Sequence, residues 1–172
     1  GADDRLYQNI FVGGKTNRSV GTAKFDACPA SFDEYMAIVA AFPVGADLEA
    51  FEKVEQPAYV NNNVYVGGAK AFAREESKLE NAGFDAEYSI EDLGEEVYLN
   101  ISLPQGFENF TSAPHGTKTL KRVRIVDAEF ENPDGSDFIL DSDLLNADTS
   151  SKSVAGPLSC LKAGKNRIKI WG

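Results

Sequence analysis

The chain has 172 residues, a length that suits one domain or one domain with an appendage. It contains 17 Lys and Arg against 27 Asp and Glu, which gives a formal net charge of −10. This acidity argues against nucleic acid or an anionic membrane as a partner, because both would call for a basic patch. No apolar run approaches the roughly 18 residues that a membrane span requires. Gly1 is not a natural start, so one interpretation is a mature or excised segment of a longer protein.

A six-residue phrase occurs twice, as NIFVGG at 9–14 and as NVYVGG at 63–68. Alternate side chains of a strand face opposite ways, so Val64 and Val66 point to one side, as their counterparts in the first copy do. The glycine pair then turns the chain. Short strand-plus-turn units that repeat with Asn at the strand entry are typical of parallel β-solenoid coils. We therefore expect the two copies to be stacked neighbours with a shared interior.

Helix signals fill the segment between the two copies. Ser31 and Glu34 have the spacing of a capping box, and the apolar residues that follow recur at helical intervals. Pro43 and Gly45 end this helix, and Asp47 can cap a second short helix that runs to about Val54. Beyond the second copy, the charged composition of 69–82 predicts a short surface helix that Gly83 ends.

The period changes to two in the second half of the chain. Segments 86–90 and 96–103 alternate apolar with polar residues and predict a hairpin around a turn at 92–94. Further expectations are a loop at 104–118, a strand at 120–126, a turn at 132–135, an extended run at 137–145 and a last strand at 165–171. This half therefore reads as an antiparallel β-sandwich.

The predicted fold class is mainly β, an antiparallel β-sandwich with β-helix-like strands and two or three short helices. We expect 1–82 to hold the β-helix-like strands, with a helical insertion at about 29–54, and 83–172 to form the sandwich. The two parts are expected to pack as one compact unit.

Six fragments in order along the chain resemble the C-terminal region of the right-handed parallel β-helix glycoside hydrolases, especially the β-xylosidase-like branch. They lie at 3–11, 63–70, 130–135, 141–143, 156–158 and 168–171. In such relatives the catalytic carboxylates lie on the β-helix upstream of where this chain begins. The resemblance implies a non-catalytic accessory or terminal domain of a secreted carbohydrate-active enzyme. Its partner would be the rest of a longer β-helix enzyme, or a polysaccharide or oligosaccharide, and its location the periplasm, the cell surface or the medium.

Two other functions stay open. One is a free-standing carbohydrate-binding module, and the other is a small hydrolase that works with a pair of aspartates. Glycoside hydrolysis needs two carboxyls roughly 5–9 Å apart, and Asp3 with Asp4 or Asp141 with Asp143 are the candidate pairs. Solvated or turn-capping roles explain the same residues, so catalysis by this chain alone is left undecided.

Four aromatic residues are candidates for stacking on sugar rings: Trp171, Tyr98, Tyr65 and Phe107. Core packing is the alternative, above all for Trp171, which alternates with isoleucines at a strand end. An oxygen-rich segment could also hold Ca²⁺, which takes six to eight hard oxygens. Its candidate ligands are Asp134, Asp137, Asp141 and Asp143, although turn chemistry explains them equally. The sequence implies no other cofactor.

The remaining reactive side chains carry weak signals. His115 lies in a predicted loop without a visible acid or nucleophile beside it. Cys28 and Cys160 are either two buried free thiols or a disulfide that closes a long loop, and the sequence does not decide between them.

Overall fold

The structure is a computed structural model that describes residues 3–14, 20–123 and 126–172. Strands dominate the described residues, with a few short helices between them. The strands are β1 Arg5–Tyr7, β2 Ile10–Val12, β3 Tyr59–Asn61, β4 Asn63–Val66, β5 Lys78–Asn81, β6 Tyr88–Asp92, β7 Val97–Leu103, β8 Thr111–Ser112, β9 Ser153–Val154 and β10 Gly164–Trp171. The α-helices are α1 Phe32–Ala40, α2 Asp47–Lys53 and α3 Thr117–Leu120, and short 3₁₀ turns span Ala23–Phe25 and Phe107–Asn109.

The two copies of the repeated phrase are parallel neighbours. β2 pairs with β4 in the register Ile10 to Val64, Phe11 to Tyr65 and Val12 to Val66. Just before them, β1 pairs with β3, also in parallel. The expectation of stacked, equivalent segments is therefore confirmed.

A third parallel strand corrects the sequence interpretation of 69–82. The predicted surface helix there is wrong, because Lys78–Asn81 form β5 and pair in parallel with β4. Leu79 lies opposite Val64 and packs against the core. Burial of this leucine and pairing with a buried strand outweigh the helical propensity of the charged residues around it.

The predicted helical insertion is confirmed and lies between β2 and β3. The Ser31 hydroxyl accepts a hydrogen bond from the Glu34 backbone N–H at 3.1 Å, which caps α1. The Glu34 carboxylate accepts from the backbone N–H of Ala30, one residue earlier than a capping box requires. The predicted cap at Asp47 is wrong, because Ala46 occupies the capping position and Asp47 is the first residue of α2, which ends at Lys53.

The second half is built on a three-stranded antiparallel sheet in the order β10-β7-β6. The predicted hairpin is confirmed as β6 and β7, and the predicted last strand as β10, which pairs with the other side of β7. A short β8–β9 ladder is separate from this sheet. The strand-rich class is confirmed, whereas two facing antiparallel sheets are not found among the described strands.

Two other predicted extended segments are irregular. Part of the predicted strand at 120–126 is wrong, because Leu120 ends α3 and Val123 makes an isolated bridge to Ala128. Arg124 and Ile125 lie outside the described residues. The run at 137–145 makes isolated bridges instead of a continuous strand. The predicted turn at 132–135 is present, with the Gly135 N–H donating to the Asn132 carbonyl at 2.9 Å.

The core draws on both halves of the chain. Val64 and Val66 share a buried cluster with Leu103, Phe107 and Leu158. Isoleucine and leucine side chains from one face of the antiparallel sheet pack against the same cluster. β4 thus lies at the centre of the molecule, and all four of its residues are buried. None of the described helices is long and apolar enough to cross a bilayer.

Candidate functional site

Two of the four predicted sugar-stacking residues are inaccessible. Tyr65 and Phe107 are each 0% exposed, so neither ring offers a face to a ligand, and both are corrected to core residues. Tyr65 stacks on Phe11 of the neighbouring strand, with ring centroids 5.1 Å apart. Their aromatic character serves packing between coils and the core.

Tyr65 and Asn63 also anchor a buried polar cluster on the second face of β4. The Glu75 carboxylate accepts from the Asn63 backbone N–H and side-chain amide, both at 2.9 Å, and from the Tyr65 hydroxyl at 2.5 Å. Because Tyr65 donates to Glu75, Thr22 donates its own hydroxyl to Tyr65, at 2.6 Å. Burial, and then the bond to Glu75, raise the pKa of Tyr65. Since Glu75 is 5% exposed, this cluster serves structure and offers no access to substrate.

The other two predicted aromatics lie at the surface. Trp171 is 72% exposed near the end of β10, so the alternative of core packing does not hold for it. Tyr98 is half-buried on β7, and the Arg167 guanidinium lies 3.6 Å from its ring centroid. The structure does not bring these two side chains into one described pocket.

The four aspartates predicted as metal ligands serve separate local roles. Asp134 accepts from the N–H and hydroxyl of Ser136, and Asp137 pairs with Lys118 at 3.3 Å. Asp143 accepts backbone bonds within its turn and both the N–H and hydroxyl of Ser159. The carbonyl of Asp141 accepts from Thr149. Across the described ranges, no group of three His, Cys, Asp or Glu is placed to hold a metal ion.

His115 and the cysteines also have structural environments. His115 is buried and stacks on Tyr7 with centroids 4.4 Å apart, and burial lowers its pKa. Cys28 and Cys160 are both free thiols, the first buried and the second exposed. Burial, followed by the hydrogen bond to Glu55, raises the pKa of Cys28 to about 11. Cys28 is therefore a poor nucleophile at neutral pH.

The first surface of interest is the edge of β2 that no strand of residues 3–14, 20–123 and 126–172 covers. In parallel pairing alternate residues direct their backbone groups to the neighbour. The Asn9 carbonyl and the Gly13 N–H bond to β4, at 2.8 Å each, so Ile10 and Val12 direct theirs to the open side. Beside this edge runs a groove of about 650 Å³ whose walls are β2, Tyr88 and Leu99 of the antiparallel sheet, and Pro157. We call it the β2 groove.

An asparagine ladder ends at the same edge. Asn63 Oδ1 accepts from the Asn9 backbone N–H at 2.8 Å and from the Asn9 side-chain amide at 3.0 Å. Asn9 also donates to the Tyr7 carbonyl at 3.1 Å. Within the described ranges no group donates to Asn9 Oδ1, the atom that corresponds to the acceptor on Asn63. The ladder thus continues from β4 to β2 and then presents an open acceptor.

The second surface is the outer, polar face of the antiparallel sheet. Registers across the three strands place short and charged polar side chains in rows. One row joins Ser89, Asn100 and Arg167, and the next joins Ser102 with Lys165. These side chains surround a depression of about 370 Å³, which Glu87 also lines. We call this depression the outer trough.

Arg167 leaves the floor of the outer trough uncovered. Its guanidinium leans along the sheet, where Nε donates to Glu91 at 2.9 Å and the plane lies over Tyr98. Hydrogen bonds from Arg167, and then from Asn100, lower the pKa of Glu91, and the bond to Glu91 raises the pKa of Arg167. The floor that remains consists of Ser89, Asn100 and Ser102.

Sequence patterns located the outer face but missed the trough. Lys165, Arg167 and Lys169 alternate with apolar residues on the predicted last strand, and all three are exposed on the outer face of the sheet. Which residue would lie beside Asn100 depends on strand order, which the sequence does not display. A count of period-two positions on the two hairpin strands could have identified Ser89, Asn100 and Ser102 as one face.

Comparison with solved structures finds one strong likeness. The chain superposes with a TM-score of 0.85 and 47% sequence identity on part of a structure described as "The complex structure of XylC with xylose". No family model and no curated protein matches the chain. The chain is thus similar to part of a protein whose structure was solved with a sugar. This confirms the prediction that its relatives include a carbohydrate-related protein.

The likeness extends over this chain but over little of its relative. It covers 99% of this chain and 26% of the XylC chain, so the chain spans about a quarter of the length of the relative.

Proposed function

We propose that this chain is a non-catalytic accessory or terminal region of a secreted carbohydrate-active enzyme, a glycoside hydrolase related to XylC. It packs as one unit against the last coil of a parallel β-helix and covers that end. The likeness to a quarter of XylC supports the view that this fold works as part of a larger assembly. Xylose in the XylC structure supports a sugar as the class of substrate.

The difference between the two ends of the parallel stack carries this proposal. β2 presents Ile10, Phe11 and Val12 at an edge to which no described strand pairs, whereas β5 ends the stack with Lys78 and Glu80. Natural sheets protect free edges with charged residues, and a flat apolar edge can pair with another strand. The β2 edge is therefore the side that receives a further strand.

The asparagine ladder specifies how this strand docks. Asn9 donates its backbone N–H to Asn63 Oδ1, so the residue that lies above Asn9 donates its own N–H to Asn9 Oδ1. The occupant is a parallel coil of the same polypeptide that carries a similar strand phrase. An aromatic residue above Phe11 extends the stack that Phe11 forms with Tyr65.

The β2 groove accommodates the side of the docked coil that faces the antiparallel sheet. Tyr88 is 66% exposed and Ile90 61%, although both lie on the apolar face of this sheet. Contiguous exposed apolar area of this kind marks an interaction surface. Burial by the coil removes it from water and contributes roughly 25 cal/mol for each Å² covered.

The experiment compares the 172-residue chain with the natural full-length polypeptide on an aryl β-xyloside. We expect hydrolysis only by the full-length polypeptide, because the sequence resemblance implies that the catalytic carboxylates lie on the β-helix upstream of this region. Phe11→Glu should destabilise the full-length protein by more than it destabilises the isolated chain, and Glu80→Phe, its matched control, should show no such difference. Turnover by this chain alone would overturn the non-catalytic assignment. An equal loss of stability on Phe11→Glu in the full-length protein and in the isolated chain would overturn the docking edge.

A further inference from the structure

The outer trough has the composition of a site for a neutral polar ligand. Its floor carries two hydroxyls and one amide, from Ser89, Ser102 and Asn100, which donate and accept within one small area. Its volume of about 370 Å³ lies at the lower end of the roughly 300–1,000 Å³ range of small-molecule sites. The floor is polar, so the ligand must be one that satisfies these groups through its own hydroxyls.

The charges around the trough balance. Glu87 and Glu91 lie near Lys165 and Arg167, within a chain whose formal net charge is −10. A site for a phosphate or a carboxylate would show an excess of basic groups. This balance favours an uncharged ligand over an anionic one.

The walls of the trough are held in place before a ligand arrives. Arg167 is fixed by its bond to Glu91 and by its contact with the Tyr98 ring. Beyond the trough, Glu96 accepts from Lys169 and from the Tyr98 hydroxyl, both at 2.9 Å, and so holds the Tyr98 ring that Arg167 covers. Rigid polar walls lower the entropy that binding must overcome.

We propose that the outer trough is a binding site for a neutral xylo-oligosaccharide, with Asn100 at its centre and Ser89, Ser102 and Lys165 as further contacts to sugar hydroxyls. The choice of sugar rests on the proposed function. The site itself is separate from the β2 groove, because it lies on the opposite face of the antiparallel sheet. The trough would hold the polymer near an active site elsewhere in the enzyme. An open, shallow site of this kind binds weakly, with a dissociation constant on the order of 1 mM.

The test is an NMR titration of the ¹⁵N-labelled chain with xylotriose. We expect shifts centred on the amides of Ser89, Asn100 and Ser102. Asn100→Ala should weaken binding by about tenfold or more, the loss expected for a central hydrogen-bonding side chain. Ser89→Tyr, which fills the trough from an exposed position on an edge strand, should abolish it with the fold intact. The matched control is Lys118→Ala, a distant and exposed lysine.

Several outcomes would overturn the site. These are no shifts at saturating xylotriose, shifts centred on Trp171, binding that survives Ser89→Tyr, or tighter binding of glucuronate than of xylotriose. Such a failure leaves the β2 edge untouched, because Phe11 does not line the outer trough and the docking test rests on the additional stability that Phe11→Glu removes from the full-length protein. Loss of the edge effect with retained xylotriose binding would instead reject the docking part of the proposed function.

Discussion

The two ends of the parallel stack differ in the way they meet solvent. At β5 the last strand carries Lys78 and Glu80, whose charged groups lie 4.0 Å apart, and its final residues are exposed. At β2 the strand consists of Ile10, Phe11 and Val12, and each is only partly buried. A stack that simply ended at both sides would need charge at both. This asymmetry supports the proposal that β5 ends the stack with its own charged side chains and that β2 receives a neighbouring strand.

The polar groups behind the stack repeat this asymmetry. On the side of β5, the amide of Asn63 and the hydroxyl of Tyr65 are satisfied by Glu75. On the side of β2, no group of the described residues donates to the side-chain oxygen of the equivalent Asn9. The side-chain oxygen of Asn63 thus has donors in the neighbouring coil, whereas that of Asn9 has none among the described residues.

The largest effect is expected at the buried carboxylate that completes the inner coil. Glu75→Ala removes the acceptor of the buried Asn63 backbone N–H, one acceptor of the Asn63 side-chain amide and the acceptor of the Tyr65 hydroxyl, and should lower the free energy of unfolding by about 3 kcal/mol. Urea denaturation of both variants measures this, with exposed Glu76→Ala as the control. Equal stability of the two variants would show that the polar cluster does not hold the stack.

The next effect is expected where β2 and β4 approach most closely. A Cβ on Gly13 would lie 2.1 Å from the Gly67 carbonyl oxygen, so Gly13→Ala should cost about 2–3 kcal/mol. A Cβ on Gly83 meets nothing within 4 Å, and Gly83→Ala should leave the melting temperature unchanged or slightly raised. Similar melting temperatures for both variants would mean that the two glycine pairs are not in close contact.

The third prediction concerns a substitution that makes the β2 edge resemble the β5 edge. Phe11→Glu places on β2 the residue type that β5 carries at the matching register, and removes the stack on Tyr65. In the isolated chain we expect a loss of about 1–2 kcal/mol, and of less than about 0.5 kcal/mol for Glu80→Phe. Thermal denaturation of the two variants distinguishes them, and the reverse order of losses would contradict the assignment of the edges.

The smallest effect is a pH dependence beside β1, where His115 stacks on Tyr7. Burial lowers the pKa of His115 in the folded chain, so the unfolded chain binds its proton more readily. Its contribution to stability is present above the ordinary pKa near 6.5 and is lost as pH falls below that value. His115→Phe should remove this loss between about pH 7 and pH 5. An unchanged pH profile of the melting temperature in the variant would contradict the shift.

The sequence predicted the stack of the first two coils because alternation and a repeated phrase are local signals. It missed β5 since Lys78 and Glu80 are the charged residues of a protected edge, and charged runs favour helix when they are considered alone. Tyr65 was taken for a sugar-binding residue because its partners, Glu75 and Thr22, are distant in sequence. The outer trough depends on Arg167 leaning toward Glu91, a contact between strands that lie 76 residues apart. Contacts of this kind follow from strand order and not from local pattern.

Amide hydrogen exchange at Ile10 and Val12 in the natural full-length polypeptide tests the open edge most directly. Both amides should be protected as strongly as those of buried β4, because a docked coil accepts their hydrogen bonds, and both should exchange rapidly in the isolated 172-residue chain. Rapid exchange at both positions in the full-length polypeptide would show that no strand is added there.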